Sequence, residues 1–268
     1  MENRLVEYAV TGTFARLTLN SPHNRNALST TLVSQLHQGL RDAAADPGVR
    51  VVVLGHAGGT FCAGADLSES SAAGGGDPFE MAAARARELT TLLRAIVEAP
   101  LPVIAAINGH VRAGGFGLVG ACDIAVAGPR STFALTEARI GVAPAIISLT
   151  LLPKLSPRAA ARYYLTGETF DAGQAAEIGL VTMAADDVDA AVAKLVADLG
   201  RGSPQGLAAS KALTTAAVLE GFDRDAERLT EQSARLFVSD EAREGMLSFL
   251  QKRPPSWAPP GTDDAGRN

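Results

Sequence analysis

Two short segments rich in glycine and alanine could present backbone N–H groups to a ligand. They span residues 58–67 and 108–118, and each follows a predicted buried strand, at 51–54 and 102–107 respectively. Small side chains allow a ligand to come close to the backbone. The second segment also opens a short predicted helix, 114–121, whose first turn carries unpaired N–H groups and a partial positive charge. Two such donors would suit a negative charge that develops on an oxygen atom.

Together, the two segments resemble the two halves of the oxyanion hole in the enoyl-CoA hydratase/isomerase (crotonase) family. The family motifs read F-x-A-G-A-D and N-G-x-x-x-G-G-G-x-E-L, and they map the two N–H donors to Ala65 and Gly114. Residues 19–29, 133–141 and 244–253 resemble the opening motif, the second catalytic segment and the C-terminal motif of that family. The resemblance therefore covers nearly the whole chain in the family order.

The resemblance also implies how protons are moved. Hydratases of this family that have two glutamates hold a water molecule between both acids. Here the second glutamate is present as Glu137, whereas Gly117 occupies the position of the first. Burial would raise the pKa of Glu137 toward the operating pH, so that one carboxylate could act first as base and then as acid.

The residues around Glu137 are most similar to those of bacterial methylglutaconyl-CoA-type hydratases. We therefore expect hydration of a 2-enoyl-CoA thioester, with a branched acyl group as an option. Two alternatives stay open: Δ3/Δ2 enoyl-CoA isomerisation by the same glutamate, and a non-catalytic acyl-CoA-binding protein. A second acid could also come from Asp77, Glu80 or Glu88, because in the family this helix borders the acyl pocket.

Coenzyme A is expected only as part of the substrate, with no prosthetic group. By resemblance, Arg25 lies near the phosphates and Ala63, Ala65 and Asp66 near the adenine, while Phe249 and Lys252 reach the nucleotide from the C-terminal helix of a neighbouring subunit. From the residues alone, Asp66 is equally well explained as a helix cap and Arg25 as half of a surface ion pair. Ser68 stands where many relatives have a lysine.

Strands and helices alternate along the first two thirds of the chain, which predicts an α/β fold. The family resemblance specifies a crotonase-type spiral of strand–strand–helix units over residues 1–200. Residues 201–268 are predicted to form a helical C-terminal region, with a mobile tail, that packs subunits into a homotrimer or homohexamer. Predicted helices in the C-terminal half include 157–166, 204–219, 223–238 and 240–250.

Composition excludes several classes of protein. A net charge of −5 argues against general nucleic-acid binding, which needs a basic surface. No signal pattern and no apolar run of membrane-spanning length occur, so we expect no membrane association. Two cysteines give no disulfide framework, which favours a cytoplasmic location. His56, Cys62, His110 and Cys122 lack metal-ligand spacing, and the G-x-G-x-x-G at 115–120 lacks the strand–helix context of a dinucleotide site.

Overall fold

A six-stranded sheet forms the framework of the protein in a computed structural model that describes residues 4–66, 69 and 76–259. Its strand order is β1-β2-β3-β5-β7-β10. The strands are β1 (Val6–Thr11), β2 (Phe14–Leu19), β3 (Val51–His56), β5 (Val103–Ile107), β7 (Ile124–Ala127) and β10 (Met183–Ala184). Only the β1–β2 pair is antiparallel in this sheet, and the pairs from β2 onward are parallel.

A second sheet of four short strands has the order β4-β6-β8-β9. These strands are β4 (Thr60–Cys62), β6 (His110–Arg112), β8 (Thr132–Ala134) and β9 (Phe170–Asp171). Each of β3, β5 and β7 continues after a short turn into β4, β6 and β8 respectively. The chain thus runs through the large sheet, then the small sheet, and then a helical segment, three times in succession. This repetition is the predicted strand–strand–helix spiral.

Nine α-helices lie within the described residues, together with two 3-10 helices. The α-helices are α1 (Thr30–Ala45), α2 (Pro78–Glu98), α3 (Gly114–Ala121), α4 (Ser148–Leu151), α5 (Pro157–Thr166), α6 (Ala172–Glu177), α7 (Val188–Leu199), α8 (Pro204–Phe237) and α9 (Asp240–Leu250), and the 3-10 helices are Pro22–Asn24 and Glu137–Ile140. The predicted cap of α1 is confirmed, because the Ser29 hydroxyl accepts a hydrogen bond from the Leu32 N–H at 3.2 Å. In the part of the chain described, no helix combines the length and apolarity needed to cross a membrane.

The C-terminal region differs from the prediction in one respect. Residues predicted as two helices, 204–219 and 223–238, form the single 34-residue helix α8. Gly221 lies inside this helix, at a cost of about 1 kcal/mol relative to alanine. Packing against α2 overrides that local preference, and two ion pairs, Arg87–Glu227 at 2.8 Å and Arg94–Asp223 at 2.6 Å, join the helices.

Both faces of the large sheet are covered, as the uninterrupted apolar run of β3 predicts. Val52 and Leu54 point into the main core, beneath α1 and α2. Val51 and Val53 point to the opposite face, where a smaller apolar cluster includes Val188 at the start of α7. Burial on both faces makes the sheet a rigid support for the loops at its edge.

A buried ion pair attaches α8 to this framework. Lys211 is only 6% exposed, and its ammonium lies 2.8 Å from the Asp123 carboxylate. The same ammonium donates to the carbonyl oxygens of Ile96 at 2.8 Å and Leu101 at 3.0 Å, where α2 ends. Asp123 in turn accepts from the Val103 N–H at 2.7 Å, at the start of β5. All three ammonium hydrogens therefore have acceptors, which offsets the cost of burying the charge.

Replacement of this lysine by methionine should destabilise the protein strongly. Lys211→Met leaves the Asp123 carboxylate without its counter-ion and two carbonyl oxygens without a donor, at an expected cost of about 3 kcal/mol in the free energy of unfolding. Urea denaturation measures this difference. Lys194→Met is the matched control, because the Lys194–Asp198 pair is exposed and surface pairs contribute less than about 1 kcal/mol. Equal stabilities of the two variants would contradict the role given to Lys211.

Candidate functional site

The segment that contains Ala65 is held by the loop before α1. Leu28 donates its N–H to the Gly64 carbonyl at 2.7 Å, and its own carbonyl accepts from the Asp66 N–H at 3.3 Å. In such a parallel bridge the N–H of the intervening residue points away from the partner strand. The Ala65 N–H accordingly has no acceptor among the described residues, and Ala65 itself is exposed.

The second candidate donor is the N–H of Gly114, the first residue of α3. An N–H in the first turn of a helix has no acceptor within that helix, and no other described group accepts from it. The preceding residue, Ala113, turns the chain with φ 44° and ψ −123°. A non-glycine residue in this region is strained, and such strain concentrates at functional sites.

The two donor segments touch each other through their backbones. A methyl group added at Gly64 would lie 2.6 Å from the Cβ of Ala113 and 3.2 Å from the nitrogen of Gly114. Gly64 also has φ +96°, a conformation that residues with side chains rarely adopt. Only glycine at this position allows Ala65 and Gly114 to approach so closely.

Asn26 is a supporting residue that the sequence analysis did not single out. It is fully buried, with φ 54°, and its amide donates to the carbonyl oxygens of Ala57 at 3.0 Å and Thr60 at 2.7 Å. Its amide oxygen accepts from the Ser21 N–H at 2.7 Å. These bonds fix the loop that carries Leu28 to the β3–β4 connection. The only sequence signal was its position inside the opening motif.

Glu137 begins the second 3-10 helix and lies in the interior, only 9% exposed. Its Oε2 atom is buried, and no group in the described chain forms a hydrogen bond with it. Burial raises the pKa of Glu137 to about 7, against the opposing effect of a hydrogen bond from its own backbone N–H. A carboxyl group with this pKa can both accept and release a proton near neutral pH.

Gly117 lies in α3 with apolar side chains where a larger residue would extend. A Cβ there would lie 2.8 Å from the Ile147 Cγ2 and 2.9 Å from the Leu93 Cδ1. The same face of α2 places Leu89 beside Gly114. The space of the first family glutamate is therefore closed by hydrocarbon.

The acids that could have replaced this glutamate serve other purposes. Asp77 caps α2 by accepting from the Phe79 N–H at 3.0 Å, and Glu80 is exposed in its first turn. Glu88 forms an ion pair with Arg85 at 3.3 Å. None of them occupies the space next to Gly117, which Leu93 and Ile147 fill.

The residues expected to contact coenzyme A fall into two groups. Arg25 is exposed, and its carbonyl accepts from the Ala63 N–H at 3.1 Å, while Asp66 accepts from the Asn24 amide at 3.1 Å. Arg25, Ala63, Ala65 and Asp66 thus surround one short stretch of surface. Phe249, in the last turn of α9, and Lys252, just after this helix, are both exposed. Ser68 lies outside the described residues, and so does the end of the predicted tail at 260–268.

His56 and His110, the two histidines considered as metal ligands, form hydrogen bonds with neighbouring segments of the chain. The His56 Nε2 accepts from the Asn108 N–H at 3.0 Å, and the His110 Nδ1 lies 2.7 Å from the Thr132 hydroxyl. Across the described ranges, no group of three or more histidine, cysteine, aspartate or glutamate side chains is arranged to hold a metal ion.

Comparison with known proteins decides the family. The sequence model for enoyl-CoA hydratase/isomerase matches residues 10–260. The chain belongs to the enoyl-CoA hydratase/isomerase family. A solved enoyl-CoA hydratase from Mycobacterium avium is 76% identical, with a TM-score of 0.90 over 96% of this chain and 100% of that one. This neighbour confirms the predicted crotonase-type α/β fold.

More distant relatives in the enoyl-CoA hydratase/isomerase family also match along most of their length. The mitochondrial enoyl-CoA hydratase domain-containing protein 3 of Danio rerio is 32% identical over 94% of this chain and 86% of its own. The mevalonyl-coenzyme A hydratase of Aspergillus fumigatus is 32% identical over 91% of this chain and 90% of its own.

A methyl group at Gly64 should separate the two donor segments. We expect Gly64→Ala to lower the free energy of unfolding by roughly 2 kcal/mol, because the added Cβ collides with Ala113 and the backbone conformation becomes strained. Urea denaturation measures the loss. Gly59→Ala, where nothing lies within 4 Å of the added atom, is the matched control and should change stability by less than about 0.5 kcal/mol. An equally small effect at Gly64 would disprove the close approach.

The burial of Glu137 should make stability depend on pH. The unfolded chain loses this proton near pH 4.5 and the folded chain near 7. The stabilising contribution is therefore complete below pH 4.5 and is lost as pH rises to 7, by about 3 kcal/mol in total. Glu137→Gln cannot ionise, so its stability relative to the parent protein should increase by most of that amount, about 2.5 kcal/mol, between pH 5 and 8 in urea titrations. Exposed Glu177→Gln should follow the parent at both pH values.

Proposed function

We propose that this enzyme of the enoyl-CoA hydratase/isomerase family adds water to the double bond of a 2-enoyl-CoA thioester, with Glu137 transferring the protons. The observation that carries the proposal is the buried Glu137 carboxyl, which has an unpartnered oxygen and a pKa raised to about 7. Burial without a partner costs stability, and an interior carboxyl of this kind is best explained by a reaction that uses it.

The Ala65 and Gly114 N–H groups are proposed to bind the thioester carbonyl oxygen. As water adds to C3, an electron pair moves through C2 onto this oxygen, and the two donors stabilise the negative charge. Both segments are fixed before the substrate binds, through Leu28 on one side and the helix start on the other. In other enzymes, removal of one such fixed donor lowers the rate by about 10²–10³-fold.

Glu137 is proposed to act twice in the same cycle. Its carboxylate takes a proton from the attacking water as the new C3–O bond forms, and then returns that proton to C2 as the enolate collapses to the thioester. Each atom and charge is accounted for, and no second carboxylate is required. A pKa close to neutrality suits both steps, because base and acid forms are then both accessible.

The remainder of the thioester is proposed to lie along the surface formed by Arg25, Ala63, Ala65 and Asp66, without any prosthetic group. The exposed arginine supplies a charge that suits the phosphates of coenzyme A. Phe249 and Lys252 are proposed to reach a neighbouring subunit's nucleotide in a homotrimer or homohexamer. Exposed apolar side chains on α9, Leu247, Phe249 and Leu250, support such an assembly.

A branched acyl group remains the preferred substrate within this proposal. The local resemblance to methylglutaconyl-CoA-type hydratases supports it, and so does the relative named for mevalonyl-coenzyme A, whose acyl group is branched. Leu93 and Ile147 fill the space next to Gly117 where the family glutamate would extend, so we propose that the acyl site is apolar there. An apolar wall suits an added methyl branch.

Double-bond isomerisation is the second candidate, and Gly117 favours it. A single carboxylate can remove a proton from C2 of a 3-enoyl-CoA and return it to C4, without any water. The closed space at Gly117 admits no second carboxylate, and this reaction needs none.

Substrate absorbance separates the two reactions. With crotonyl-CoA or 3-methylglutaconyl-CoA, hydration should reduce the absorbance of the conjugated enoyl thioester; with a 3-enoyl-CoA, isomerisation should increase it. We expect loss of absorbance, and Glu137→Gln should lower kcat by at least about 10³-fold because both proton transfers require the carboxylate. Exposed Glu177→Gln is the control and should retain full activity.

An increase with the 3-enoyl substrate alone would replace hydration by isomerisation. If Glu137→Gln retained full turnover on every substrate, the catalytic assignment would be wrong. Binding without turnover of any of them would favour the acyl-CoA-binding alternative.

A further inference from the structure

The second 3-10 helix, which begins with Glu137, is attached to the end of α5. The Arg139 guanidinium donates to the Thr166 carbonyl oxygen at 2.9 and 3.2 Å. A Cβ added to Gly167 would lie 2.9 Å from the Arg139 Nε and 3.0 Å from the Leu135 carbonyl oxygen, so the two elements are in close contact. Glu137 lies on the first of these elements and Tyr164 on the second, so the attachment holds the segments that carry them in contact.

The Tyr164 hydroxyl is part of a short hydrogen-bonded chain. It lies 3.3 Å from the Ser148 Oγ, and the Ser148 hydroxyl donates its single proton to the Pro144 carbonyl at 2.7 Å. Ser148 can therefore only accept from Tyr164, which directs the phenolic proton toward the serine. The lone pairs of the phenol oxygen are left to accept a hydrogen bond from another group.

The Tyr164 hydroxyl interacts electrostatically with the Glu137 carboxyl group. Burial, aided by the charge of Glu137, raises the pKa of Tyr164 to about 12 against the lowering effect of the hydrogen bond with Ser148. The phenol therefore stays protonated at neutral pH and lies within the electrostatic reach of Glu137. The adjacent Tyr163 differs, because its ring is buried in the core and packs 4.1 Å from Phe170 between ring centroids.

A nucleophilic water needs two acceptors, one for each hydrogen, so that a lone pair faces the carbon it attacks. The Glu137 carboxylate is one acceptor, and the space next to Gly117, where a second carboxylate would stand, is closed by Leu93 and Ile147. We propose that the Tyr164 phenol oxygen, oriented by Ser148, is the second acceptor and positions the attacking water beside Glu137. This inference rests on the proposed hydration.

Tyr164 exchanges no proton in this scheme. The water donates one hydrogen bond to the phenol oxygen and gives its other proton to Glu137, and its oxygen bonds to C3. After attack, the new hydroxyl group keeps the hydrogen that faced Tyr164. Tyr164 is therefore a positioning residue for water, in a place where the sequence offers no carboxylate.

Removal of the hydroxyl alone tests this role. Tyr164→Phe should lower kcat for hydration of crotonyl-CoA by roughly 10- to 100-fold, the effect of one lost hydrogen bond in the transition state. KM, the affinity for the unreactive butyryl-CoA measured by calorimetry, and the thermal unfolding midpoint should stay unchanged. Tyr163→Phe is the matched control and should leave all four quantities at parent values.

A double-mutant cycle tests the orientation by Ser148. Ser148→Ala should lower kcat less than Tyr164→Phe, and the double variant should be no slower than Tyr164→Phe alone, because the serine acts only through the phenol. Additive losses would overturn the orienting role of Ser148.

Three results would overturn the inference on Tyr164. An unchanged kcat in Tyr164→Phe would show that the hydroxyl does not hold the water. Equal losses of kcat and of butyryl-CoA affinity would mean that the side chain only shapes the pocket. If the parent protein hydrates neither crotonyl-CoA nor 3-methylglutaconyl-CoA, the proposed function itself fails, and the water-positioning role fails with it.

Discussion

The close approach of two backbone segments at Gly64 and Gly114 is the constraint on which the arrangement of the site depends. One segment leaves β4 and the other leaves β6, and their N–H groups can converge only if no side chain separates them. The spiral brings the ends of neighbouring strands together, and the positive φ of Gly64 makes the final contact possible. Leu28 and Asn26 then hold the first segment through hydrogen bonds that do not use the Ala65 N–H.

Other buried polar groups of the protein contrast with Glu137. Lys211 directs all three of its hydrogens to acceptors, and the Asn26 amide bonds to three backbone groups. Both side chains therefore contribute to stability although they are polar and buried. Glu137 instead keeps one oxygen without a partner, and its pKa is raised to about 7. The fold thus tolerates a buried carboxyl group whose charged form is disfavoured, which is the property that the proposed proton transfers use.

The two sides of the acyl site have opposite character. The α2 side presents Leu89 and Leu93 to α3, and no carboxylate enters there. On the other side, the hydroxyl of Tyr164 on α5 lies 3.3 Å from the Ser148 hydroxyl at the start of α4, and the charge of Glu137 acts on Tyr164. In the proposed mechanism, the polar groups that handle water lie beside the single acid, and the opposite wall accepts an apolar part of the substrate.

The sequence by itself determined the fold class, most element boundaries and the identity of the family, because glycine-rich turns, apolar periodicity and caps such as Ser29 act locally. It also identified Ala65, Gly114 and Glu137 as candidates. The joining of two predicted helices into α8, the filling of the space at Gly117 and the attachment of the Glu137 segment to the end of α5 were decided only by the tertiary structure. These features depend on contacts between residues far apart in the chain, such as Leu93 with Gly117 and Arg139 with Thr166, and no local pattern encodes such contacts.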